Sequence, residues 1–187
     1  MAVAVPAQDE PAIVLDMAPT VAAYGKVRLK AQRGEPMPVG WMIDREGKPL
    51  TDPKRADEGH LLPIGDYKGY GLSLIIGILA GLLNRAAIGR EVIDFVKETG
   101  KPANTGQAIA AIAIETFMPA AEFKTAVDRL IRDIRGSPRL PGVDRIWLPG
   151  EQSHAKYLDR RKNGVPMPRG LRERLDALAH ELGVAPI

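Results

Sequence analysis

The stretch GHLLPIGDYKGYGLSLIIGILAGLL, residues 59–83, joins a polar turn to a long apolar run. Gly65 and Asp66 are typical turn residues. The run from Leu72 to Leu83 holds no charged residue, and a helix that is apolar on every side is typically buried. The sequence therefore predicts a turn followed by an apolar helix, with Gly71 allowing close approach of another backbone where the helix starts.

Lys68 lies between this turn and this helix. The first turn of a helix exposes unpaired N–H groups and carries a partial positive charge, so a lysine beside it favours an anion such as phosphate or carboxylate. The Ser73 hydroxyl is a further candidate donor. The alternative is an ordinary surface turn, because one lysine and two glycines do not make a Walker sequence or a GxGxxG motif.

The composition is that of a folded protein. Its 187 residues suit one domain or one and a half, and 45% of them are hydrophobic and 26% charged. The absence of cysteine excludes disulfides, thiolate zinc sites and iron–sulfur clusters. We expect no metal site and a reducing compartment.

The net charge of +3 comes from 26 basic residues interleaved with 23 acidic ones. The densest basic run, Arg160–Lys162, is typical of a solvated helix face, so we expect no nucleic-acid partner. The first ten residues do not follow the pattern of a secretory signal. The apolar run Leu72–Leu83 is shorter than the roughly 20 residues of a membrane span, so the sequence predicts a cytoplasmic protein without a membrane partner.

Strand and helix patterns alternate along the chain, which is typical of the α/β class. Strands are predicted from short apolar or alternating runs, and helices from apolar residues at helical spacing with glycine or proline at their ends. The strands are expected at 12–18 and 107–117, and the helices at 20–32 with Pro19 in the first turn, at 122–136 and at 168–182.

Several segments, taken in order, resemble the type 2 malate/L-lactate dehydrogenase family. They are VLDMAPTVAAYGKV (14–27), TDP (51–53), the stretch at 59–83, LPGE (148–151) and RRKNGVPM (160–167). The family includes ureidoglycolate dehydrogenase, sulfolactate dehydrogenase, diketogulonate reductase and piperideine-carboxylate reductase.

This resemblance implies an α/β fold in which helices pack on a mixed sheet and the nicotinamide-cofactor domain is not of the Rossmann type. It also implies hydride transfer between NAD or NADP and C2 of a 2-hydroxy or 2-oxo acid. The family's cofactor segments fall on three parts of this chain. Their residues are Asp16, Met17, Ala18, Pro19, Thr20, Val21, Ala22, Tyr67, Lys68, Gly150, Glu151 and Gln152.

These positions suit a dinucleotide chemically. Asp16 ends a strand where N–H groups and the Thr20 hydroxyl can meet ribose or phosphate oxygens, although it also suits a helix cap. Tyr67 offers a ring and a hydroxyl beside the lysine, or packs over the turn. Gly150 lets the chain pass close to a ligand and Glu151 can accept from ribose hydroxyls, although a plain turn at 149–150 fits equally.

The chain also departs from the family. Gly77 stands where many relatives carry an acidic residue, and Gln107 and Gln152 stand where relatives often differ. The resemblance begins in the middle of a family member, and in the family the other half supplies the histidine that protonates the substrate oxygen. The three histidines of this chain are more typical of surface positions, so the catalytic residues stay unassigned; they are His60, His154 and His180.

Two hypotheses follow. The chain is an NAD(P)-dependent 2-oxo-acid reductase seen as its cofactor-binding half, or it is a truncated, non-catalytic remnant that acts as a nucleotide-binding or assembly module. We expect residues 1–149 to form the cofactor domain and residues 150–187 to pack on the absent half. Because apolar surface left by an absent half needs a cover, we also expect a homodimer or larger assembly.

Overall fold

The computed structural model describes residues 1–94, 98 and 100–186. Within these ranges it has four short strands and five α-helices. The strands are β1 (Ala2–Val5), β2 (Ile13–Asp16), β3 (Met42–Asp44) and β4 (Gly59–Leu61). The helices are α1 (Tyr24–Arg33), α2 (Tyr67–Ala80), α3 (Ala120–Gly136), α4 (Glu151–Asn163) and α5 (Arg169–Leu182).

The chain divides into two compact units. Unit 1 comprises Met1–Val3 and Leu15–Ala120, and unit 2 comprises Ala4–Val14 and Ala121–Ile187. The described strands form two pairs, β1 with β2 and β3 with β4. The strand predicted at 12–18 is confirmed as β2.

Unit 1 has a small apolar core around the antiparallel β3–β4 pair, in which Met42 lies opposite Leu61. Val27 of α1 is buried against Met42 and Leu50 in this core. The sequence analysis did not predict β3 or β4, because runs of three residues are too short to establish an alternating pattern.

The predicted helix at 20–32 is correct in type but starts later, at Tyr24. Pro19 is not in its first turn, because Thr20 forms a bridge with Pro63 and this extended pairing delays the helix. The helical pattern offers Val21, Ala22, Tyr24 and Leu29 as inward positions. Of these Ala22 is buried and the other three are exposed, whereas Val27, which the pattern did not offer, is buried.

The turn and apolar helix predicted from residues 59–83 are confirmed, and α2 begins at Tyr67. The close approach occurs at Gly69 and not at Gly71: a Cβ on Gly69 would collide with the Ile64 carbonyl oxygen, whereas one on Gly71 would meet nothing. Gly69 is the buried residue of α2, since it faces the turn that precedes the helix.

The outward side of α2 is not buried, contrary to the expectation for an apolar helix. The helical stretch Tyr67–Asn84 has 18 residues and could cross a membrane by length and composition alone. In the structure, 11% of this stretch is buried. The sequence analysis counted only Leu72–Leu83 and therefore underestimated the length of this helical stretch, because it left out the flanking tyrosines and glycines. Core helices of large proteins share this composition, so length and composition do not distinguish a membrane-spanning helix from a buried core helix.

The strand predicted at 107–117 is wrong. Residues 107–113 form neither strand, helix nor turn, and a single 3-10 turn follows at Ile114–Thr116. Ile109 and Ile112 are exposed. An alternating sequence becomes a strand only when a neighbouring strand satisfies its N–H and C=O groups, and the described part of the chain supplies none here.

Unit 2 is built on α3, whose helical pattern is confirmed. Val127 and Ile131 are buried with Leu148, and Phe123 and Ile134 pack against this cluster. Leu130, which lies at helical spacing from these residues, is half exposed. The predicted C-terminal helix is confirmed as α5, which ends at Gly183 in the left-handed region.

Candidate functional site

Two of the three predicted cofactor segments lie side by side in unit 1. Asp16 ends β2, and the chain then runs without a helix to Val21. The Ile64 N–H donates to the Pro19 carbonyl at 3.1 Å, and the Val21 N–H donates to the Leu62 carbonyl at 2.9 Å. These bonds fix the segment 16–22 against the strand end that leads into the Lys68 turn.

Tyr67 and Lys68 are the first two residues of α2. The backbone reaches them through two residues in the left-handed region, Gly65 at φ 56° and Asp66 at φ 53°. The N-terminus of the helix carries a positive partial charge, and Tyr67 and Lys68 are both exposed there. Neither the Tyr67 hydroxyl nor the Lys68 ammonium has a hydrogen-bond partner among the described residues.

Both hydroxyls that sequence analysis offered as donors are engaged within the chain. Ser73 Oγ donates to the Gly69 carbonyl at 2.7 Å, and Thr20 Oγ1 donates to the Ala22 carbonyl at 2.8 Å. Each oxygen still has lone pairs that can accept. Lys68 is therefore the stronger candidate for contact with an anion.

The third predicted segment, Gly150–Gln152, belongs to unit 2 and opens α4. Gly150 has φ +92°, and a Cβ there would lie 3.0 Å from the Val14 carbonyl oxygen. The Val14 N–H also donates to the Pro149 carbonyl at 3.1 Å. The glycine is thus required by the close packing of the LPGE turn on β2, independently of any ligand.

The Glu151 carboxylate is held by two arginine side chains and by one backbone N–H group. Its Oε1 accepts from Arg135 and, at 3.4 Å, from Arg145, and its Oε2 accepts from the Leu148 N–H at 2.9 Å. Burial opposes ionisation, but the Leu148 N–H and the Arg135 guanidinium outweigh it and lower the pKa of Glu151. The Glu151 side chain is 10% exposed.

A cavity of about 400 Å³ adjoins this turn within unit 2. Trp147, His154 and Leu158 line it together with Gly150 and Glu151. The Arg145 guanidinium stacks 4.1 Å from the centre of the Trp147 ring. The sequence analysis missed Trp147 and Arg145, although both lie within six residues of the LPGE motif.

The three histidines do not form an acid–base site with a partner. His60 lies in β4 rather than in a loop, His154 in α4 and His180 in α5, and all three are exposed. None of their imidazoles takes part in a hydrogen bond with the described residues. Nor do the described residues contain a group of three or more histidine, aspartate or glutamate side chains able to hold a metal ion.

Comparison with known proteins identifies the relationship. The sequence model described as malate/L-lactate dehydrogenase matches residues 1–176. The malate dehydrogenase of Pyrococcus horikoshii is 36% identical over 193 aligned residues, covering 98% of this chain and 52% of that protein. Two further relatives carry a cofactor in their names and are each 30% identical to this chain. The first is an Escherichia coli ureidoglycolate dehydrogenase (NAD+), and the match covers 88% of this chain and 47% of that protein. The second is a Chromohalobacter salexigens (2R)-3-sulfolactate dehydrogenase (NADP+), and the match covers 96% of this chain and 51% of that protein.

Solved structures give the same result. The sulfolactate dehydrogenase of Methanocaldococcus jannaschii superposes with a TM-score of 0.82 at 34% identity, covering 98% of this chain and 52% of that one. The match confirms the predicted α/β fold of the malate/L-lactate dehydrogenase type. The chain spans about half the length of the relatives it matches.

Proposed function

Since the chain belongs to the malate/L-lactate dehydrogenase family, we propose that it is the cofactor-binding part of an oxidoreductase that acts on 2-hydroxy or 2-oxo acids. The reaction is hydride transfer between a nicotinamide ring and C2 of the acid. The substrate is a small carboxylate of the kind that the relatives' names give, which are malate, sulfolactate and ureidoglycolate.

The observation that carries this proposal is the pairing of residues 19–21 with residues 62–64. It holds the backbone after Asp16 beside the turn that presents Lys68. A dinucleotide needs a cation for its phosphates and N–H or hydroxyl groups for its ribose oxygens. Lys68 at the start of α2 supplies the cation, and the N–H groups of segment 16–22 that are not bonded within the chain supply the donors beside it.

The residues present fit a nicotinamide dinucleotide. Lys68 pairs with a phosphate or with the substrate carboxylate, and Tyr67 offers its exposed ring to a flat ligand. Asp16, Met17, Ala18 and the residues up to Ala22 line the ribose and phosphate side. The cofactor supplies the hydride, and the chain's own residues bind, orient and neutralise charge.

In unit 2, Gly150, Glu151 and Gln152 complete the proposed set of cofactor residues. The Leu148 N–H and the Arg135 guanidinium favour the ionised form of Glu151, and its carboxylate accepts a ribose hydroxyl. The relatives' names include both NAD+ and NADP+, and we propose a nicotinamide cofactor without choosing between the two.

A second candidate function rests on a specific observation. The chain covers about half of its relatives, and its three histidines are exposed without hydrogen-bond partners among the described residues. Without a proton donor, hydride transfer loses roughly 10²–10⁴-fold in rate. The chain would then act as a nucleotide-binding or assembly module.

We extend the proposal to assembly and location. Residues 150–187 pack on a polypeptide equivalent to the unmatched half of the relatives, and the assembly is a homodimer or larger in the cytoplasm. The support is the amount of exposed apolar surface, since α4 and α5 leave Tyr157, Leu158 and Leu178 exposed and monomers seldom expose large contiguous apolar patches.

The test is calorimetric titration of NADH and NADPH into the wild type and two variants, with oxalate added as a carboxylate probe. Lys68→Ala should weaken binding by about 1.5–3 kcal/mol, a factor of roughly 10–150 in Kd, because it removes a charge-assisted hydrogen bond. Lys68→Arg should recover part of the loss, since a planar guanidinium does not occupy the position of a compact ammonium.

Lys48→Ala is the matched control, because Lys48 is also an exposed turn lysine of unit 1. It should bind as the wild type does. If neither nucleotide binds to the folded wild type at millimolar concentration, the cofactor proposal fails. Equal binding by Lys68→Ala and Lys48→Ala, with and without oxalate, would make Lys68 an ordinary turn residue. Binding without turnover of malate would favour the second candidate.

A further inference from the structure

The outward surface of α2 is wider than one helix contact. Its exposed apolar residues at 67, 70, 74, 75, 78 and 79 spread over about half of the helix circumference at 100° per residue. A helix that packs on a single neighbour needs an apolar stripe of little more than about 100°. Tyr67 is 77% exposed and Leu83, just beyond the helix, is 73% exposed.

The inward side of α2 is partly covered by other residues of unit 1. Gly77 contacts Ile88, and a Cβ on Gly106 would collide with the Ala80 carbonyl oxygen. These contacts line a narrow apolar groove of about 360 Å³. Gly106 therefore lies against the end of α2, and residues 107–113 continue from Gly106 onto the protein surface.

Residues 107–113 are a segment without regular secondary structure that lies exposed on unit 1. Ile109 is 94% exposed and Ile112 is 78% exposed. No backbone N–H or C=O from 107 to 112 takes part in a hydrogen bond with the described residues. The whole stretch from 103 to 114 has no charge and no proline, although exposed edge strands normally carry such residues to prevent wrong pairing.

We propose that residues 107–113 and the outward face of α2 form one docking surface for a polypeptide equivalent to the half of the relatives that this chain does not match. One strand of that polypeptide pairs along 107–113, and its apolar side chains cover Leu74, Ile75 and Leu79. The inference concerns assembly and does not depend on nucleotide binding.

Two observations favour this occupant over a second copy of the chain. Two copies paired only through 107–113 would make a two-stranded ribbon, which is marginal in water unless further strands or a helix pack on it. A two-fold contact between two α2 helices would also cover one stripe and leave the rest of the exposed arc in water. The relatives, by contrast, are about twice as long as the matched region, which is enough chain to supply several strands.

The experiment mixes the 187-residue chain with the half of Pyrococcus horikoshii malate dehydrogenase that lies outside the match, expressed as a separate polypeptide. Association is measured by analytical ultracentrifugation, and amide protection by hydrogen exchange. The expected result is a stable complex in which exchange at 107–113 slows at least about tenfold, because those amides gain β-sheet partners. Exchange in α2 should also slow.

Two charge variants test the surface. Ile109→Asp and Ile75→Asp should each weaken the complex at least about tenfold, since each places a carboxylate in an apolar interface. The matched controls are Val39→Asp, at an exposed loop position of the same unit, and Leu130→Asp, at an exposed helix position of unit 2. Both should bind as the wild type does. Ile109 is almost fully exposed in the free chain. If Ile75→Asp does not fold, Ile109→Asp alone tests the docking surface.

Three results would overturn the proposal. The first is no association of the two polypeptides, or association without protection of 107–113. The second is protection of 107–113 and α2 by self-association of this chain alone. The third is protection by vesicles of phosphatidylcholine and phosphatidylglycerol, which would assign the α2 face to a membrane.

Discussion

At the scale of single residues, Asp128 is the most constrained polar group of unit 2. It is 2% exposed, and its carboxylate accepts the N–H groups of Gln8, Asp9 and Glu10 at 2.9–3.2 Å. The three donors lie about 120 residues away in sequence. The carboxylate thus anchors the loop between β1 and β2, and with it the strand on which the LPGE turn packs.

Protonating Asp128 should destabilise the fold. Burial raises the pKa of this carboxyl, but the N–H groups of Asp9, Glu10 and Gln8 outweigh burial and lower it. A folded-state pKa below the unfolded value means that the stabilisation is complete above the unfolded pKa of about 4 and is lost as the pH falls through the folded value. Arg135 and Arg132 lower the pKa of Glu10 in the same sense.

Asp128→Asn should therefore lower the unfolding midpoint at pH 7 and flatten its fall between about pH 5 and pH 2. An amide oxygen is neutral and accepts fewer hydrogen bonds than a carboxylate. Thermal unfolding followed by circular dichroism measures both effects. Asp133→Asn is the control, since Asp133 is exposed on the same helix, and it should keep the wild-type pH dependence. If the unfolding midpoint of Asp128→Asn fell at low pH as steeply as that of the wild type, the assignment of this fall to Asp128 would be contradicted.

At the scale of elements, the start of α2 depends on one close contact. The turn at 64–66 folds back so that Ile64 lies over Gly69, and the same Ile64 N–H bonds to the Pro19 carbonyl. The position of Lys68 and the position of segment 16–22 are therefore coupled through Ile64. A side chain that displaced Ile64 would disturb both of the proposed cofactor segments of unit 1 together.

Two glycines in the same helix test this coupling. Gly69→Ala should destabilise the chain by about 1–3 kcal/mol, since the added methyl group collides with Ile64 backbone, and should weaken nucleotide binding. Gly71→Ala meets open space and should stabilise α2 by about 0.5–1 kcal/mol, because alanine is the better helix former. Urea unfolding gives both values. Equal effects of the two substitutions would rule out the close contact.

At the scale of the whole molecule, the exposed apolar side chains are the dominant feature. They occur on α2, on residues 107–113 and on α5, where Leu171, Leu178 and Leu182 are all partly exposed. Exposed apolar surface of this extent is typical of proteins that associate. The net charge of +3 offers little electrostatic repulsion against such association.

Through the exposed leucines of α5, the isolated chain should sediment as a dimer or larger species at micromolar concentration. Sedimentation velocity at several loading concentrations measures this. Ile75→Asp should leave the assembly unchanged, because we assign the α2 face to a different polypeptide. A wild-type chain that sediments as a monomer throughout the micromolar range would be evidence against the homodimer.

Features that depend on neighbouring residues could be predicted from the sequence. The turn at 65–66, the helices α3 and α5 and the strand at 13–16 follow from local periodicity and from turn and capping residues. The family, and with it the α/β fold, follows from short motifs in a fixed order. For the candidate site, the sequence supplied the segments but not the contacts among their atoms.

Only the tertiary structure decided the features that depend on distant residues. The three donors to Asp128, the engagement of Glu151 by Arg135, and the choice of Gly69 over Gly71 for the close contact all join segments that are remote or folded back on themselves. The same reason accounts for the wrong strand at 107–117. A helix satisfies its own backbone hydrogen bonds, whereas a strand needs a partner whose position no local pattern encodes.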